Sequence, residues 1–425
     1  MNKLLSFFLL LLLLFSILFL ASCGASSEVI DEEQSKLRSE LEIESNFINK
    51  EVLGQLSTDD MRTKIGAGMQ DFSNSLLQEL FQYDSNLVVS PYSAVTTLSM
   101  TSAGAVGPTK TEMKDVLGVP QLSDEELHTV HMALIDTLNS HRRITLHTAN
   151  SIWHKKGVTF NQETLQLIED FYEADVKEIT NEQDINDWVA EKTNGNIENI
   201  VEHIDPQTMM FLLNTVYFLA EWHDPFISEY TVDKEFHTFD GSSVTVPFMT
   251  QGKEYKYDIN ENYEIIRLPY RMGKFSMEVL LPSENSTLED TIVKLNSGQI
   301  EWTSPSTYYE GSIHLPKFSF SSNSSLTTPL KNMGMKIAMD ENLADFSNLS
   351  EEVPLFIDDV LQNAFITVDE EGTEAGAVTV VEMAAGGVPT SNFHMNVNRP
   401  FLFRIIHEET GVVMFIGNVV DPSMD

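Results

Sequence analysis

Val368-Asp369-Glu370-Glu371-Gly372-Thr373-Glu374-Ala375-Gly376-Ala377-Val378-Thr379 lies about fifty residues from the C-terminus, and its pattern decides the fold. It begins like the end of a strand, turns at Gly372, and continues as a run of small residues without proline. With a period of two, Thr373, Ala375, Ala377, Thr379 and Val381 share one small, nearly apolar face, while Glu374, Gly376, Val378, Val380 and Glu382 share the other. Nothing on the first face is charged or too bulky for a slot between two existing strands, so the segment is able to enter the middle of a β-sheet. The following Ala384-Ala385-Gly386-Gly387-Val388-Pro389-Thr390-Ser391-Asn392 reads as an exposed loop. A loop whose stem can become a central strand suggests a conformational device. On this segment alone, an edge strand with a glycine turn is the plainer alternative.

The rest of the chain decides between them. Asn86-Leu87-Val88-Val89-Ser90-Pro91-Tyr92-Ser93, Asn214-Thr215-Val216-Tyr217-Phe218-Leu219-Ala220-Glu221-Trp222, His314-Leu315-Pro316-Lys317-Phe318, Asn398-Arg399-Pro400-Phe401-Leu402-Phe403 and the closing Met414-Phe415-Ile416-Gly417-Asn418-Val419-Val420-Asp421-Pro422 stand in this order. In order and spacing they resemble the landmarks of the serpin family of serine protease inhibitors, over about residues 66 to 424. The resemblance implies an α+β fold of three β-sheets and about eight or nine helices, with an exposed reactive-centre loop near the C-terminus. It also implies a monomer that needs no cofactor. Its partners would be target serine proteases, with cysteine proteases as a further class.

In that family a protease attacks the loop and forms an acyl-enzyme. The cleaved stem then inserts into the central sheet and drags the protease across the molecule, an instance of strand addition that releases stored strain. About a dozen residues gaining ladder bonds worth roughly 1 kcal/mol each supply on the order of 10 kcal/mol. A strand of that length spans roughly 40 Å at about 3.3 Å per residue, enough to cross a domain.

The resemblance assigns roles residue by residue. Glu370, Glu371, Gly372, Thr373, Glu374, Ala375, Gly376, Ala377, Val378 and Thr379 match the hinge. Glu370 and its expected ion-pair partner Lys317, with Trp222, match the point at the top of the sheet where the loop first enters. Ser90, Ser93 and Asn214 match a polar cluster at mid-sheet, where the family commonly has a histidine at the position of Gln362. Outside the family frame, Ser90 and Ser93 are ordinary helix caps and Trp222 is ordinary core. Counting forward from Glu370 by the family interval puts the reactive bond at Gly386-Gly387. The tail from there to Arg399-Pro400 is a few residues longer than the family's, which leaves Ala385, Val388 and Thr390 as alternatives. All are small and uncharged, suiting a shallow, neutral elastase- or subtilisin-type pocket.

At the N-terminus, Lys3 precedes an apolar run from Leu4 to Leu20 that closes in Ala21-Ser22-Cys23. The run is short for a membrane-spanning helix and suits a signal peptide over residues 1–22. Its ending resembles a bacterial lipobox, in which the sole cysteine, Cys23, is lipidated and holds the exported domain to a membrane, at the cell surface or in the periplasm. An uncleaved anchor is the alternative. Residues 23–65 are acidic and polar and read as a tether, and 66–425 as one domain.

The formal charge of −38 argues against nucleic acid or an anionic surface as partner. Asp124 to Ser140, where the family's polyanion-dependent members place bases, carries acids and no Lys or Arg, so no heparin-like activator is expected. There is no Gly-x-Ser-x-Gly elbow, no His-Glu-x-x-His and no phosphate-cradling glycine loop, so the chain is not read as an enzyme. His128 and His131, three apart on a helix face taken as exposed, lack the further ligands a metal needs, and no metal is expected. The competing functions are a non-inhibitory serpin acting as a binding or chaperone-like module, which the absence of proline and bulky residues from the hinge disfavours, and a solute-binding lipoprotein, which none of the five motifs fits.

Overall fold

Fifteen strands and nine α-helices are formed among the described residues of a computed structural model, namely 57–139, 144–193, 195, 200–205, 208–373 and 392–424. The helices are α1 (Thr58–Met61), α2 (Ala67–Leu80), α3 (Pro91–Ser102), α4 (Gly107–Val116), α5 (Asp124–Asn139), α6 (Gln162–Tyr172), α7 (Glu182–Lys192), α8 (Leu288–Asn296) and α9 (Thr327–Asn332). The strands are β1 (Leu87–Val89), β2 (Ile144–His154), β3 (Asp175–Glu178), β4 (Met210–Glu221), β5 (Val232–His237), β6 (Ser243–Ile259), β7 (Tyr263–Pro269), β8 (Phe275–Pro282), β9 (Tyr308–Pro316), β10 (Phe318–Ser325), β11 (Asp359–Val368), β12 (Gly372–Thr373), β13 (Phe393–Asn396), β14 (Phe401–His407) and β15 (Val413–Val419).

By hydrogen bonding the strands form two networks. The larger runs β1-β15-β14-β8-β7-β6-β9-β13, with β5 on β6, and the smaller runs β10-β11-β12-β4-β2-β3. Three sheets were expected, and the larger network accounts for two of them. β6 is long enough to change partners along its length, pairing with β5 and β9 through Ser243–Lys256 and with β7 through Lys256–Ile259. β8, β14 and β15 are buried at every position, which explains why they are mostly apolar, and the charges they bury pair with each other, Arg404 with Glu278 at 2.8 Å. The turn between β7 and β8 falls at Met272 and Gly273, both at positive φ.

α3 lies between the two networks, touching β2, β4 and β15, and every one of its residues is buried. Its start is fixed twice over: Pro91 occupies the first turn, and the Ser90 hydroxyl accepts from the Ser93 amide. The apolar stripe of α2 is buried through Phe72, Leu76 and Leu77, as that of α5 is through Val130, Leu134 and Leu138.

The compact unit starts at Thr58, so the last residues assigned to the tether belong to it. Met61 and Ile65 are buried, and the Arg62 guanidinium donates to the carbonyls of Glu408 at 3.0 Å and Glu409 at 2.6 Å. Acidic composition hid these two apolar anchors. Among the described residues, no helix is long and apolar enough to cross a membrane.

Candidate functional site at the top of the central sheet

β4 and β11 are the parallel neighbours at the centre of the six-stranded sheet. They pair from Phe211 with Asp359 to Val216 with Ala364. Further along, β12 stands between them, Gly372 paired with Glu221 and Thr373 with both Ala220 and Val368. Between these two zones, over Tyr217–Leu219 and Phe365–Thr367, no pairing joins β4 to β11 among the described residues. The outer sides of both strands remain fully laddered to β2 and β10. Among the described residues the ladder between β4 and β11 is thus interrupted over about three residues, or roughly 10 Å, directly below a two-residue strand.

The chain turns one step earlier than expected. β11 ends at Val368, and the reversal is made by Asp369–Glu371, whose Asp369 carboxylate accepts from the amides of Glu371 at 2.9 Å and Gly372 at 3.2 Å. An aspartate able to close its own turn relieves Gly372 of that task. Gly372 answers a different need: a Cβ there would lie 2.1 Å from the Ala220 carbonyl oxygen, so only glycine fits between the strands. Thr373 is buried, and its hydroxyl meets that of Tyr270 at 2.6 Å.

Trp222 is buried against this turn. Its indole donates to the Asp369 carbonyl at 2.9 Å, its amide donates to the Glu371 carbonyl at 2.8 Å, and its ring stacks on Tyr270 at 4.5 Å. Glu370 accepts from the Lys317 ammonium at 2.6 Å and from the Thr231 hydroxyl at 2.7 Å, while its carbonyl accepts from the Phe226 amide. Burial by itself would raise the Glu370 carboxyl, but the bonds from Lys317 and Thr231 outweigh it and hold the group below the usual carboxylate range.

Beneath the parallel pair lies a buried polar network. The Gln362 amide nitrogen donates to the Ser90 carbonyl at 3.0 Å and to Asn214 Oδ1 at 2.9 Å, and Gln362 Oε1 accepts from the Ser90 amide at 2.7 Å. Asn214 donates to the Ser93 hydroxyl and, at 2.6 Å, to Asn150 Oδ1, which also accepts from Thr97 at 2.7 Å. The Ser90 hydroxyl donates to the Met414 carbonyl at 2.6 Å, so it caps α3 and ties it to β15 at once. The network clamps β4, β11 and α3 together just below the interrupted stretch.

Sequence reasoning missed Asn150, Thr97, Thr231 and Tyr270. A single Asn in β2 looks like the solvent side of a strand, and nothing local marks Tyr270 as the ring sandwiched between Trp222 and the hinge. His128 and His131 are corrected: both are buried, not exposed, because the α5 face that carries them packs on α6 through Tyr172. His128 Nδ1 meets the Tyr172 hydroxyl at 2.7 Å, and burial pushes His128 down to about 4 and His131 to about 3. No cluster of metal-ligating side chains exists among the described residues. Glu374, Ala375, Gly376, Ala377, Val378 and Thr379 of the hinge, the reactive-bond candidates Ala385, Gly386, Gly387, Val388 and Thr390, and Cys23 lie outside the described residues.

Comparison with known proteins now identifies the architecture. The family model for serpins, described as serine protease inhibitors, matches residues 67–422. A serpin-like protein of Thermococcus kodakarensis, itself uncharacterised, is 34% identical over 84% of this chain and 85% of its own length. Human Serpin B11 is 30% identical over 79% of this chain and 93% of its own. The crystal structure of tengpin, a thermophilic serpin in its native state, superposes with a TM-score of 0.77 at 34% identity, covering 83% of this chain and 93% of that one. The chain belongs to the serpin family, whose members are generally protease inhibitors and not catalysts.

Proposed function

We propose that this serpin is a suicide inhibitor of endopeptidases with small, neutral specificity pockets, of the elastase or subtilisin type, and that it traps the acyl-enzyme by inserting its loop stem between β4 and β11. One observation carries the proposal: the stem has already begun as a strand there, Gly372 paired with β4 and Thr373 with both β4 and β11, next to a stretch where, among the described residues, the two strands are laddered on their outer sides and not to each other. A strand continuing from β12 completes ladders that β4 and β11 otherwise lack, so insertion is downhill in hydrogen bonding. Lys317, Glu370 and Trp222 hold the entry point, and Ser90, Ser93, Asn214 and Gln362 hold the strands together below it. Specificity follows from the sequence of the loop, in which no Lys or Arg occurs between Gly372 and Asn398, so a trypsin-like pocket finds no cation to pair.

The domain acts outside a membrane to which lipidated Cys23 holds it, where foreign or stray proteases are met. The deciding experiment incubates the protein with pancreatic elastase, subtilisin and trypsin. A covalent complex stable on a denaturing gel with either of the first two, and none with trypsin, is expected. The released C-terminal peptide should begin between Gly386 and Ser391. Simple proteolysis without complex by all three enzymes refutes the proposal.

A further inference from the structure

α5 is fastened to α6 through a face that carries two imidazoles. His128 and His131 stand three residues apart on α5, and both close on Tyr172, the last residue of α6. The His128 ring lies 5.6 Å from the Tyr172 ring, edge to face, and the His131 ring lies 5.5 Å from it, while Phe171 packs on His128 at 5.9 Å. His128 is 5% exposed and His131 not at all. His128 Nδ1 meets the Tyr172 hydroxyl at 2.7 Å, whereas among the described residues neither nitrogen of His131 has a partner. A buried imidazole without a partner already costs the junction part of what its apolar contacts contribute.

The surrounding charges do little to accommodate a proton there. On α5 itself Asp124 attracts a charge on His128, but that carboxylate is already paired with Lys110 at 2.7 Å and Lys114 at 3.5 Å, both from α4. The two ammonium groups oppose a charge on His128, and a charged His128 opposes one on His131. From α6 the titratable group is Tyr172, which its own burial keeps neutral. α3 and β2 also pack on α5, and among the described residues no carboxylate from either acts on the two rings. Protonation therefore puts a poorly compensated charge inside the interface, and the interface sheds it by parting.

We infer that the α5–α6 junction is an acid-released latch: as His128 and His131 take up protons, α5 parts from Tyr172 while the two strand networks stay folded. Parting uncovers one helix interface, whereas unfolding uncovers the whole core, and both events gain the same two protons, so the smaller opening leads. Both helices run into one flank of the six-stranded sheet, α5 into β2 and α6 into β3, on the side away from β10 and β11. The latch works whether or not the chain traps proteases. Burial holds His128 at about 4 and His131 at about 3, against an ordinary value near 6.5. Between pH 7 and pH 5 the opening constant therefore rises roughly 20-fold for each histidine and several hundredfold for the pair.

The test is hydrogen exchange of the full chain, followed by mass spectrometry at pH 7 and pH 5 and corrected for the intrinsic effect of pH on exchange. Peptides from α5 and the end of α6 should exchange about a hundredfold faster or more at pH 5, while those from β4, β14 and β15 stay protected over the same period. Protection should return when the protein is brought back to pH 7. His131→Leu removes one of the two protons and should cut the rise to about 20-fold, and His128→Phe/His131→Phe should remove it. α5 peptides that exchange only together with β4, β14 and β15 overturn the latch. So does an equal corrected rate at both pH values, or a rise that the double variant keeps in full. Should a variant not fold, the wild-type contrast between α5 and the strands still decides.

Discussion

Replacing Thr373 with arginine sets a charge where the sheet has already closed on the chain. Thr373 is 1% exposed, bracketed by Ala220 on β4 and Val368 on β11, and its hydroxyl meets that of Tyr270. The substitution removes a bond worth about 1 kcal/mol and strands the Tyr270 hydroxyl in the core at a cost of about 1–3 kcal/mol. An unpaired guanidinium in that slot adds several kcal/mol more. The docked state therefore loses on the order of 5 kcal/mol, and the hinge is expelled. If only a third of this is felt in the transition state for insertion, the step slows by roughly tenfold to twentyfold, at about 1.4 kcal/mol per decade. Deacylation then wins the competition, and an inhibitor becomes a substrate. The assay is titration of elastase or subtilisin with wild type and variant, with intact complex and cleaved serpin separated on a denaturing gel. The variant should yield almost only cleaved serpin. Thr373→Val, which gives up the hydroxyl but no space, should retain most trapping. A Thr373→Arg protein that traps protease at the wild-type ratio would refute insertion at this slot.

Removing one partner of the Lys317–Glu370 pair leaves the other half-buried and frees the turn that Glu370 fixes; Glu370→Ala or Lys317→Ala should raise polymer formation on native gels after mild heating, and unchanged polymer yield counts against a closing role. Gln362→Leu leaves the Ser90 amide and Asn214 Oδ1 without their partner in the core, and should lower the midpoint of thermal unfolding by several degrees. His128 and His131 are neutral in the folded state and charge readily once exposed. Stability is therefore full above the ordinary histidine value near 6.5 and is lost as pH falls from there toward about 4 for His128 and about 3 for His131, by about 2 kcal/mol per histidine at pH 5. Unfolding midpoints followed from pH 7 to pH 5 check this, and a His128→Phe/His131→Phe double variant should flatten the profile. Cys23→Ala should abolish membrane partitioning of the processed protein, and unchanged partitioning of a correctly cut variant would rule out lipidation there.

The family and the order of its parts were legible because five separated motifs and the small-residue stem constrain one another. The apolar run of β4, the β7–β8 hairpin and the buried stripes of α2 and α5 follow from one-dimensional periodicity, which reports burial directly. Where the sequence misled, it did so through local composition. Thr58 to Ile65 was assigned to an acidic tether because charge outnumbers Met61 and Ile65, yet those two apolar side chains and the reach of Arg62 to Glu408 and Glu409 suffice to dock it. In the sequence His128 and His131 look like surface residues because imidazole is polar, while the partner that accommodates them, Tyr172, is some forty residues away on α6.

Gln362 shows how the remaining distance from sequence to site is bridged. Where the family commonly has histidine, the substitution alone suggests a weakened clamp, since glutamine carries no charge. In place, its amide satisfies both the carbonyl and the amide of Ser90 and reaches Asn214 as well, using a donor and an acceptor on one planar group. A neutral imidazole offers one donor and one acceptor on opposite edges of a ring and changes its pattern on protonation. The amide makes the same junction with nothing to titrate, so opening of β4 from β11 should not respond to pH through this position. The pH dependence of the molecule then has to come from elsewhere, and among the described residues the buried pair on α5 is where burial has moved histidine furthest from its ordinary range. Gln362→His should accordingly introduce an additional acid-sensitive step in loop insertion that His128→Phe/His131→Phe does not remove. If the trapping rate of Gln362→His follows the wild-type pH profile, the junction is not gating the strands, and the clamp must lie with Asn214 and Ser93 instead.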